Sequence, residues 1–537
     1  MAGAALDTTS SSPATPTEPA DRSRPADPAA ASGQTGRAEQ GGFWALVRRH
    51  RTFTAILTVG VLLRIVTMLG YRPAMWFNDS FDYLHVAMSP YPHAIRPDGY
   101  AFFLFLLRPF HSFALVVALQ HLMGVIIAII IYALLRTRFT LPAWVACLAA
   151  APVLLDAYQI QLEHLVLSDV PFTFLVILVI AALMWYQNPS WKVGAAVGLL
   201  LGLASLTRSV GLPVLFAVVV YMLARRVRWR VIAATVALCA LPLAAYAVWF
   251  HSYYGKFAMT ESNGVFLYAR VYKFADCNKI QPPTEEIPLC VQADHKLPFS
   301  QDGIWNRRSP LHRVPAPRFT EMQNRIAGDF AKRAILAQPG DYFKVVAADF
   351  FRVFQWNRTV FPDRDTYEEY EFGTHAAALP DWRMSQDKTA DQEAAAYERG
   401  RASTQIAEPF AGVIRTYQDV FYLRGSILGV ILLVGLGGMI PLWRRFGGAA
   451  LLPWTTAIGL LLAPAATAEF DYRYILPATP LACLAAALAI TPKIRSWYPN
   501  RFRQRRGVVS AQGAPGGATD APEPAAEPAM EPAATVK

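Results

Sequence analysis

The feature that most constrains the fold is a series of ten apolar segments, divided into two groups by a polar and aromatic block at residues 251–418. Apolar segments of about 17–25 residues have the length that crosses a lipid bilayer as a helix. The fifth and sixth are shorter and form a tight hairpin around residues 207–209. The segments are 53–70, 113–135, 141–157, 166–186, 193–206, 210–223, 231–250, 421–443, 449–466 and 474–490. They predict an all-α polytopic membrane protein with about ten transmembrane helices.

The composition agrees with this prediction. The chain is 54% hydrophobic and only 17% charged, whereas a soluble protein has about a quarter of its residues charged. Its net charge of +11 comes from basic residues in short loops beside the apolar segments. That distribution is typical of membrane topology rather than of nucleic-acid binding. The lipid bilayer is therefore an expected partner, and nucleic acid is not.

Alternate loops differ in their basic residues, which predicts the orientation. One set carries the basic clusters at 48–51, 136–138, 192, 225–230, 444–445 and 493–506. By the positive-inside rule this side is cytoplasmic, so we expect a multi-pass protein of the cell membrane with both termini in the cytoplasm. The acidic residues outside the tails gather at the opposite, extracytoplasmic ends of the helices. A pore or carrier would instead place its working charges at mid-membrane.

These patterns divide the chain into five parts. The tails lack a hydrophobic core and are rich in Ala, Pro, Ser and Glu, so we expect them to be disordered. The parts are a cytosolic tail (1–42), an N-terminal transmembrane catalytic module (43–250) with a first outer loop (71–112), an extracytoplasmic loop domain (251–420), C-terminal transmembrane helices (421–492) and a basic, then disordered, cytosolic tail (493–537).

The loop domain contains one amphipathic segment and one pair of cysteines. Residues 339–358 place most of their aromatic side chains on one helical face, which favours a helix lying in the interface over an eleventh span. Residues 363–401 are polar and predict a loose loop on the acceptor side. Cys277 and Cys290 lie in an oxidising compartment and can form a disulfide, the alternative being two free thiols.

The first outer loop contains the acidic residues Asp79 and Asp82. Carboxylates at a water–lipid boundary can take a proton from a hydroxyl or hold a divalent cation. The alternative is structural, with Asn78 or Asp79 capping a short helix. The residues of this loop alone leave the two interpretations open.

Several short motifs occur in order along the outer ends of the helices. They are Asp79-Ser80-x-x-Tyr83-x-x-x-Ala87, Pro97-x-Gly99-Tyr100, Glu163 followed by Leu167-Ser168-Asp169-Val170-Pro171, Leu206-Thr207-Arg208-Ser209, and Tyr472-Arg473-Tyr474-x-x-Pro477. Together they resemble the motifs of GT-C fold glycosyltransferases that use polyprenyl phosphate. This group includes the protein mannosyltransferases and aminoarabinose transferases, families 39 and 83, and the resemblance is to a bacterial member. Two positions differ from the group: Ala101 replaces a proline, and Ser80 replaces a second acid.

The resemblance implies roles for the matching residues. Asp79 is the expected catalytic base, with Asp82 as an alternative base or a metal ligand. Arg208, Arg473 and Tyr472 are expected to contact the donor phosphate, and Tyr83 and Tyr100 belong to the substrate loop. Structural alternatives remain for the cations: Arg208 can extend to the interface, and Arg473 can pair with Glu469 or Asp471.

Two further acids, Glu163 and Asp169, are expected to support the site by orienting an arginine or helping to bind a cation. The alternative is that each forms a structural ion pair. His121 and His164 are expected to be satisfied by polar neighbours.

The predicted function is transfer of a sugar from a polyprenyl-phosphate donor to a hydroxyl group on the extracytoplasmic side. No Gly-rich nucleotide loop occurs, which agrees with a lipid-linked donor. No cofactor is certain, and a divalent cation is a candidate. The acceptor can be a protein, a glycan or a lipid, and mannose, glucose and arabinose are all compatible. The alternatives are a transporter or flippase of lipid-linked sugar, or a non-catalytic protein of envelope assembly.

Overall fold

The computed structural model describes residue 45 and residues 47–292, 295–440 and 448–491. The two tails and the basic clusters at 444–445 and 493–506 lie outside these residues. Two compact units are distinguished, Met1–Thr54 and Ala55–Lys537, and the description of contacts below concerns the second. Each of the ten apolar segments contains a helix, which confirms the predicted all-α membrane fold.

Ten of the described helices correspond to the predicted segments, seven in the N-terminal group and three in the C-terminal group. The N-terminal group also contains three short helices between them, Asn78–Met88, Gly99–Leu107 and Ala157–His164. In chain order the N-terminal group is α1 (Arg51–Gly70), α2 (Asn78–Met88), α3 (Gly99–Leu107), α4 (Phe113–Ala133), α5 (Ala143–Leu155), α6 (Ala157–His164), α7 (Asp169–Trp185), α8 (Trp191–Thr207), α9 (Gly211–Ala224) and α10 (Trp229–Tyr254). The outer block contains α11 (Asn263–Tyr272), α12 (Cys277–Ile280), α13 (Asp302–Trp305), α14 (Glu321–Ala337), α15 (Pro339–Arg352), α16 (Arg364–Glu368), α17 (Ala390–Glu398) and α18 (Phe410–Val420). The C-terminal group is α19 (Gly425–Met439), α20 (Leu451–Thr467) and α21 (Ile475–Ala489).

In the described part of the chain, five helical stretches are long and apolar enough to cross a membrane alone. They are Arg51–Gly70, Phe113–Arg138, Trp229–Tyr254, Gly448–Thr467 and Tyr472–Ala489. Two bent pairs, α5 with α6 and α18 with α19, raise the number to seven if each pair is one span. The helices α7, α8 and α9 are apolar but shorter. The helices therefore agree with the prediction, while length alone supports five to seven spans rather than ten.

The break between α5 and α6 is caused by Asp156. Its carboxylate accepts hydrogen bonds from the backbone N–H groups of Tyr158 (2.8 Å) and Gln159 (3.2 Å), and so caps α6. A third N–H, from Leu423, donates to the other oxygen at 2.9 Å. Because the chain bends by 49° at this residue, α6 turns inward and all its side chains are buried.

Close helix contact brings α8 and α10 together. Gly198 on α8 lies against the backbone of Thr235 on α10, where an added Cβ would be 2.1 Å from the Thr235 carbonyl oxygen. Only glycine permits this approach. The tight pair fixes the hairpin that follows α8, in which Arg208 lies.

The outer block has its own core. Residues of α11 and α14, including Tyr268 and Phe330, pack together with the segment that contains Cys277 and Cys290. The two cysteines form a disulfide with a Cα–Cα distance of 5.9 Å. The helix α15 is amphipathic, and its side chains Phe343 and Phe351 are 72% and 65% exposed. Such exposure of large aromatic groups is expected of a helix that lies at the membrane interface.

The segment 363–401 is not the loose loop that the sequence predicts. It contains α16 and α17 and is anchored to the first outer loop. Glu393 contacts Nδ1 of His85 at 2.8 Å, and the Tyr397 hydroxyl donates to the Leu104 carbonyl at 2.9 Å. The polar composition reflects these specific contacts rather than mobility.

A two-stranded antiparallel pair joins the ends of the two loops. The strand β1 (Tyr71–Arg72) follows α1, and β2 (Gln405–Ile406) precedes α18; Tyr71 pairs with Ile406. The outer block is therefore joined through this strand pair to the first outer loop, which contains Asp79 and Asp82.

Candidate active site

Asp79 lies in the first turn of α2, but it does not cap that helix. The N-terminal residue before α2 is Phe77, whose backbone N–H donates to Oγ of Ser80 at 3.0 Å. Ser80 is therefore the polar side chain that bonds to the backbone at the start of α2, and neither Asn78 nor Asp79 is the cap residue. The Asp79 carboxylate is left to contact other parts of the chain.

Two arginines hold Asp79, one from the same loop and one from a distant part of the sequence. Arg96, from the same outer loop, contacts Oδ1 at 2.8 Å, and Arg473, which precedes α21, contacts Oδ2 at 2.7 Å. Burial alone would raise the pKa of Asp79, but the guanidinium groups of Arg473 and Arg96 outweigh it and hold the pKa well below its ordinary value. Asp79 is therefore a carboxylate throughout the physiological pH range.

The ion pairs continue on both sides of Asp79. Arg96 also contacts Asp82 at 3.3 Å, and Arg473 contacts Asp471 at 3.0 Å. Glu469, the other expected partner of Arg473, instead accepts the N–H groups of Ser300 and Gln301. The result is a chain of alternating charges, Asp82–Arg96–Asp79–Arg473–Asp471.

The second predicted acid–arginine pair lies beside this chain. Arg208, in the hairpin after α8, forms an ion pair with Asp169 at the start of α7. The guanidinium also lies 5.4 Å from the centre of the Tyr474 ring, and Arg473 lies 5.3 Å from the same ring. Both arginines therefore lie close to the same Tyr474 ring. We call the residues Asp79, Asp82, Arg96, Asp169, Arg208, Asp471 and Arg473 the outer ion-pair cluster.

Tyr83 and Tyr100 support the cluster from below. The Tyr83 hydroxyl bonds to Oγ of Ser168 at 3.0 Å, and Arg96 lies 5.4 Å above its ring. Tyr100 is fully buried and donates to Oε1 of Gln120 at 2.7 Å. The two rings are 5.0 Å apart. Tyr83 thus contacts the cluster directly, whereas Tyr100 packs against the Tyr83 ring.

Glu163 does not join the cluster. Its carboxylate binds Arg64 through two contacts, 2.7 and 2.8 Å, and also contacts Nδ1 of His121 at 2.9 Å. Because α6 turns inward after Asp156, Glu163 is fully buried. His164 bonds to His121 and to the Tyr71 carbonyl, so both histidines have partners as expected. The ion-pair alternative is therefore the one observed for Glu163.

The Tyr472 hydroxyl, predicted to contact the donor phosphate, is bonded to the backbone of Thr359. Its hydroxyl donates to the Thr359 carbonyl at 2.8 Å and accepts the Thr359 N–H at 2.7 Å. Arg358 lies between two rings, 3.4 Å from Tyr158 and 4.8 Å from Tyr472. A cavity lined by Arg352, Arg358, Tyr422 and Tyr472 opens here between α19 and α21.

Three residues of this region are absent from the sequence prediction. Arg96 stands in the first loop but within a Pro-Asp-Gly turn, where it looks like an ordinary surface residue. Arg358 ends the amphipathic segment 339–358, whose periodic pattern concerns its aromatic side chains, and Glu369 lies in the polar segment 363–401, which has no periodic pattern. A signal was present only for Arg96, as a cation close in sequence to two acids.

In the described part of the chain, no group of three or more His, Cys, Asp or Glu residues is placed to hold a metal ion. Oδ1 of Asp471 is nevertheless buried without a hydrogen-bond partner. The four aspartates of the cluster also outnumber its three arginines, so the cluster retains an excess of negative charge.

Comparison with known proteins bears on this geometry. Residues 101–254 match the family model of dolichyl-phosphate-mannose-protein mannosyltransferases. This match confirms the resemblance that the loop motifs predict. It includes Asp169 and Arg208 but not Asp79 or Arg473. No curated protein sequence matches the chain.

Several solved structures are similar, at low identity. The Saccharomyces cerevisiae protein O-mannosyltransferase Pmt1-Pmt2 complex is 18% identical, with a TM-score of 0.32, over 42% of this chain and 36% of that one. The Archaeoglobus fulgidus oligosaccharyltransferase is 14% identical, with a TM-score of 0.38, over 87% and 53%. ArnT from Cupriavidus metallidurans is 13% identical, with a TM-score of 0.31, over 84% and 78%. The chain thus spans only about a third to a half of the first two.

Proposed function

We propose that the protein is a membrane glycosyltransferase that moves a sugar from a polyprenyl-phosphate donor to an acceptor hydroxyl, with Asp79 as the general base. The observation that carries the proposal is the position of Asp79 between Arg96 and Arg473 at the outer ends of the helices. The family match to residues 101–254 supports the same reaction class.

The reaction needs a group that accepts a proton at the acceptor oxygen. As this oxygen attacks the anomeric carbon, its proton must leave, and a positioned carboxylate accelerates such a transfer by about 10²–10⁴-fold. Asp79 is held ionised by its two arginines, and its side chain remains 21% exposed. It is therefore available to a substrate in the required protonation state. Asp82 contacts only Arg96 and is the second choice.

The arginines supply the complement to the donor phosphate. Guanidinium groups bind phosphate through paired hydrogen bonds. Arg473 and Arg208 both lie close to the Tyr474 ring, so both guanidinium groups are candidates to contact the donor phosphate. Each arginine already has an aspartate partner, which fixes its position before the donor binds.

A divalent cation is a candidate component of the site. The cluster carries four aspartates against three arginines, and an anionic donor would increase the negative excess. Asp471 has a buried oxygen without a hydrogen-bond partner, and Asp169 is the acid that the sequence predicts to help bind a cation, but the described residues contain no group of three or more His, Cys, Asp or Glu placed to hold the ion. A bound cation would supply charge neutralisation for the phosphate.

We also propose that the cluster faces the extracytoplasmic side, as the basic loops predict. Reporter fusions at Asp302, in the outer block, and at Arg228, in a basic loop, should give opposite locations. The same location for both fusions would contradict the topology.

The direct test is a transfer assay. Purified protein is incubated with a panel of radiolabelled polyprenyl-phosphate sugars and with peptide, glycan and lipid acceptors. Transfer by the wild type, loss in Asp79→Asn and full activity in Asp391→Asn are expected; Asp391 is an exposed aspartate on α17 and serves as the matched control. Movement of labelled lipid across the bilayer without transfer would instead indicate a transporter.

A further inference from the structure

Glu369 belongs to the outer block, yet the fold fixes it against the start of α2. Its backbone carbonyl accepts a hydrogen bond from Nε2 of Gln161 on α6 at 2.8 Å. The ring of the next residue, Tyr370, packs against that of Phe77, the residue before α2, with ring centres 5.3 Å apart. Gln418 on α18 bonds to the backbone of Tyr370 and Phe372. Three separate elements therefore hold this short segment in one position.

Glu369 lies beside the outer ion-pair cluster. Its neighbour Tyr370 packs against Phe77, and the Arg473 guanidinium lies 4.6 Å from the centre of the same Phe77 ring. One oxygen of the Glu369 carboxyl group, Oε2, is buried and has no hydrogen-bond partner among the residues that the structure describes. A buried polar atom without a partner is costly, so a ligand group that satisfies it would be bound favourably.

Asp79 and Glu369 are two carboxyl groups with opposite protonation behaviour. Burial raises the pKa of Glu369 to about 8, the Asn78 N–H lowers it, and the negative charges of Asp79 and Asp471 raise it further; the charge of Arg473 is the remaining, lowering, influence. Asp79 is ionised and Glu369 holds its proton at neutral pH. A pair of carboxyl groups whose environments separate them in this way is the usual arrangement of a base and an acid.

We propose that Glu369 is the general acid of the transfer reaction, donating its proton to the phosphate oxygen that leaves the sugar. This inference rests on the proposed function and assigns a second catalytic residue to the same site. Its geometric basis is the position of Glu369 next to Tyr370, which shares the Phe77 ring with Arg473, together with the Glu369 oxygen that has no hydrogen-bond partner among the described residues.

The step balances as follows. The bond between the anomeric carbon and the phosphate oxygen breaks, its electron pair stays on that oxygen, and the oxygen takes the proton of Glu369. A new bond forms between the anomeric carbon and the acceptor oxygen, whose proton passes to Asp79. Glu369 ends as a carboxylate and Asp79 as a carboxylic acid. Exchange of one proton with solvent at each residue restores the starting state.

The main structural alternative is that Glu369 only stabilises the N-terminus of α2 through the Asn78 N–H. Glu369→Gln distinguishes the two roles, because the amide oxygen still accepts that hydrogen bond but the side chain cannot donate a proton. The matched control is Glu368→Gln, one residue earlier, an exposed glutamate that pairs with Arg364 on the surface.

The experiment measures turnover and donor affinity of each variant between pH 6 and pH 9. For the wild type, turnover should fall on the alkaline side as Glu369 loses its proton. Glu369→Gln should lower turnover at neutral pH by about 10²-fold or more and should remove that alkaline fall, while donor affinity changes little. Glu368→Gln should behave as the wild type.

Turnover of Glu369→Gln within twofold of the wild type, with the same pH profile, would overturn the proposal. If the variant does not fold, the wild-type profile decides, since an alkaline side that stays flat to pH 9 would also overturn it. These outcomes leave the proposed function intact as long as the wild type transfers sugar and Asp79→Asn does not.

Discussion

Asp79 and Glu163 are two carboxylates held by arginines, and they differ in what else can reach them. Glu163 is fully buried, and Arg64, His121 and Gln159 occupy its oxygens. Among the residues that the structure describes, the ion-pair partners of Asp79 are the guanidinium groups of Arg96 and Arg473, and 21% of its side chain stays exposed. The same pairing of charges therefore builds a closed structural network in one place and an accessible site in the other. Access, rather than charge, separates the two.

The largest expected effect concerns the closed network. Arg64→Met retains much of the apolar stem but leaves Glu163 buried without its cation, which should cost about 3–5 kcal/mol of the free energy of unfolding. Thermal melting in detergent measures this loss. The double variant Arg64→Met/Glu163→Gln should recover part of it, because no buried charge then remains.

Arg72→Met is the control for Arg64→Met, since Arg72 is exposed and its side chain donates a hydrogen bond to the nearby Leu69 carbonyl. Its free energy of unfolding should lie within about 0.5 kcal/mol of that of the wild type. A wild-type melting temperature for Arg64→Met would show that the Glu163 network does not stabilise the fold, and the comparison with Asp79 would fail.

The next effect concerns the open site. Arg473→Gln should weaken donor binding and turnover together, by about 10–100-fold, because a hydrogen bond to a charged group is worth about 1.5–3 kcal/mol. Donor affinity measured with labelled lipid, beside turnover, gives both values. Arg364→Gln removes an exposed surface pair and should change neither. Normal donor affinity in Arg473→Gln would assign the phosphate to other cations, with Arg208 and Arg358 as the next to test.

A smaller effect is expected on the pH dependence of stability. The folded protein holds the Glu369 proton between its ordinary pKa of 4.5 and about 8, while the unfolded chain has released it. Stability from this group therefore falls as the pH rises through that window. The melting temperature of Glu369→Gln should decline less than that of the wild type between pH 5 and pH 8. Parallel curves for the two proteins would show that Glu369 is not protonated in the folded state.

The sequence predicts the helices because the apolar segments are long and bordered by charged residues. It also predicts that Asp79, Asp169, Arg208 and Arg473 gather at one end of the helices, and the structure places these four residues close together. Glu163 shares that position in the sequence but not in the structure. The reason is that Asp156 caps α6, and α6 turns inward and buries Glu163. The sequence of α6 has no apolar pattern that would distinguish this helix from a loop.

The outer block shows where the sequence fails. Glu369 is held near the start of α2 by Gln161, which donates to its carbonyl, and by Gln418, which donates to the carbonyl of the adjacent Tyr370; both glutamines are far from it in the sequence. The segment 363–401 was predicted as a loose loop because it is polar, yet His85 and Leu104 anchor it to the first loop. Long-range hydrogen bonds of this kind leave no periodic trace in a sequence.

The most direct measurement is the turnover of Asp79→Asn, determined together with its donor affinity and melting temperature. Asparagine keeps the shape of the side chain and removes the charge that accepts the proton. Turnover should fall by about 10²–10⁴-fold, with a melting temperature near that of the wild type. Donor affinity should stay the same or increase, because Arg96 and Arg473 lose an anionic partner. Full turnover in Asp79→Asn, or a loss of activity that only follows unfolding, would contradict the assignment of Asp79 as the base.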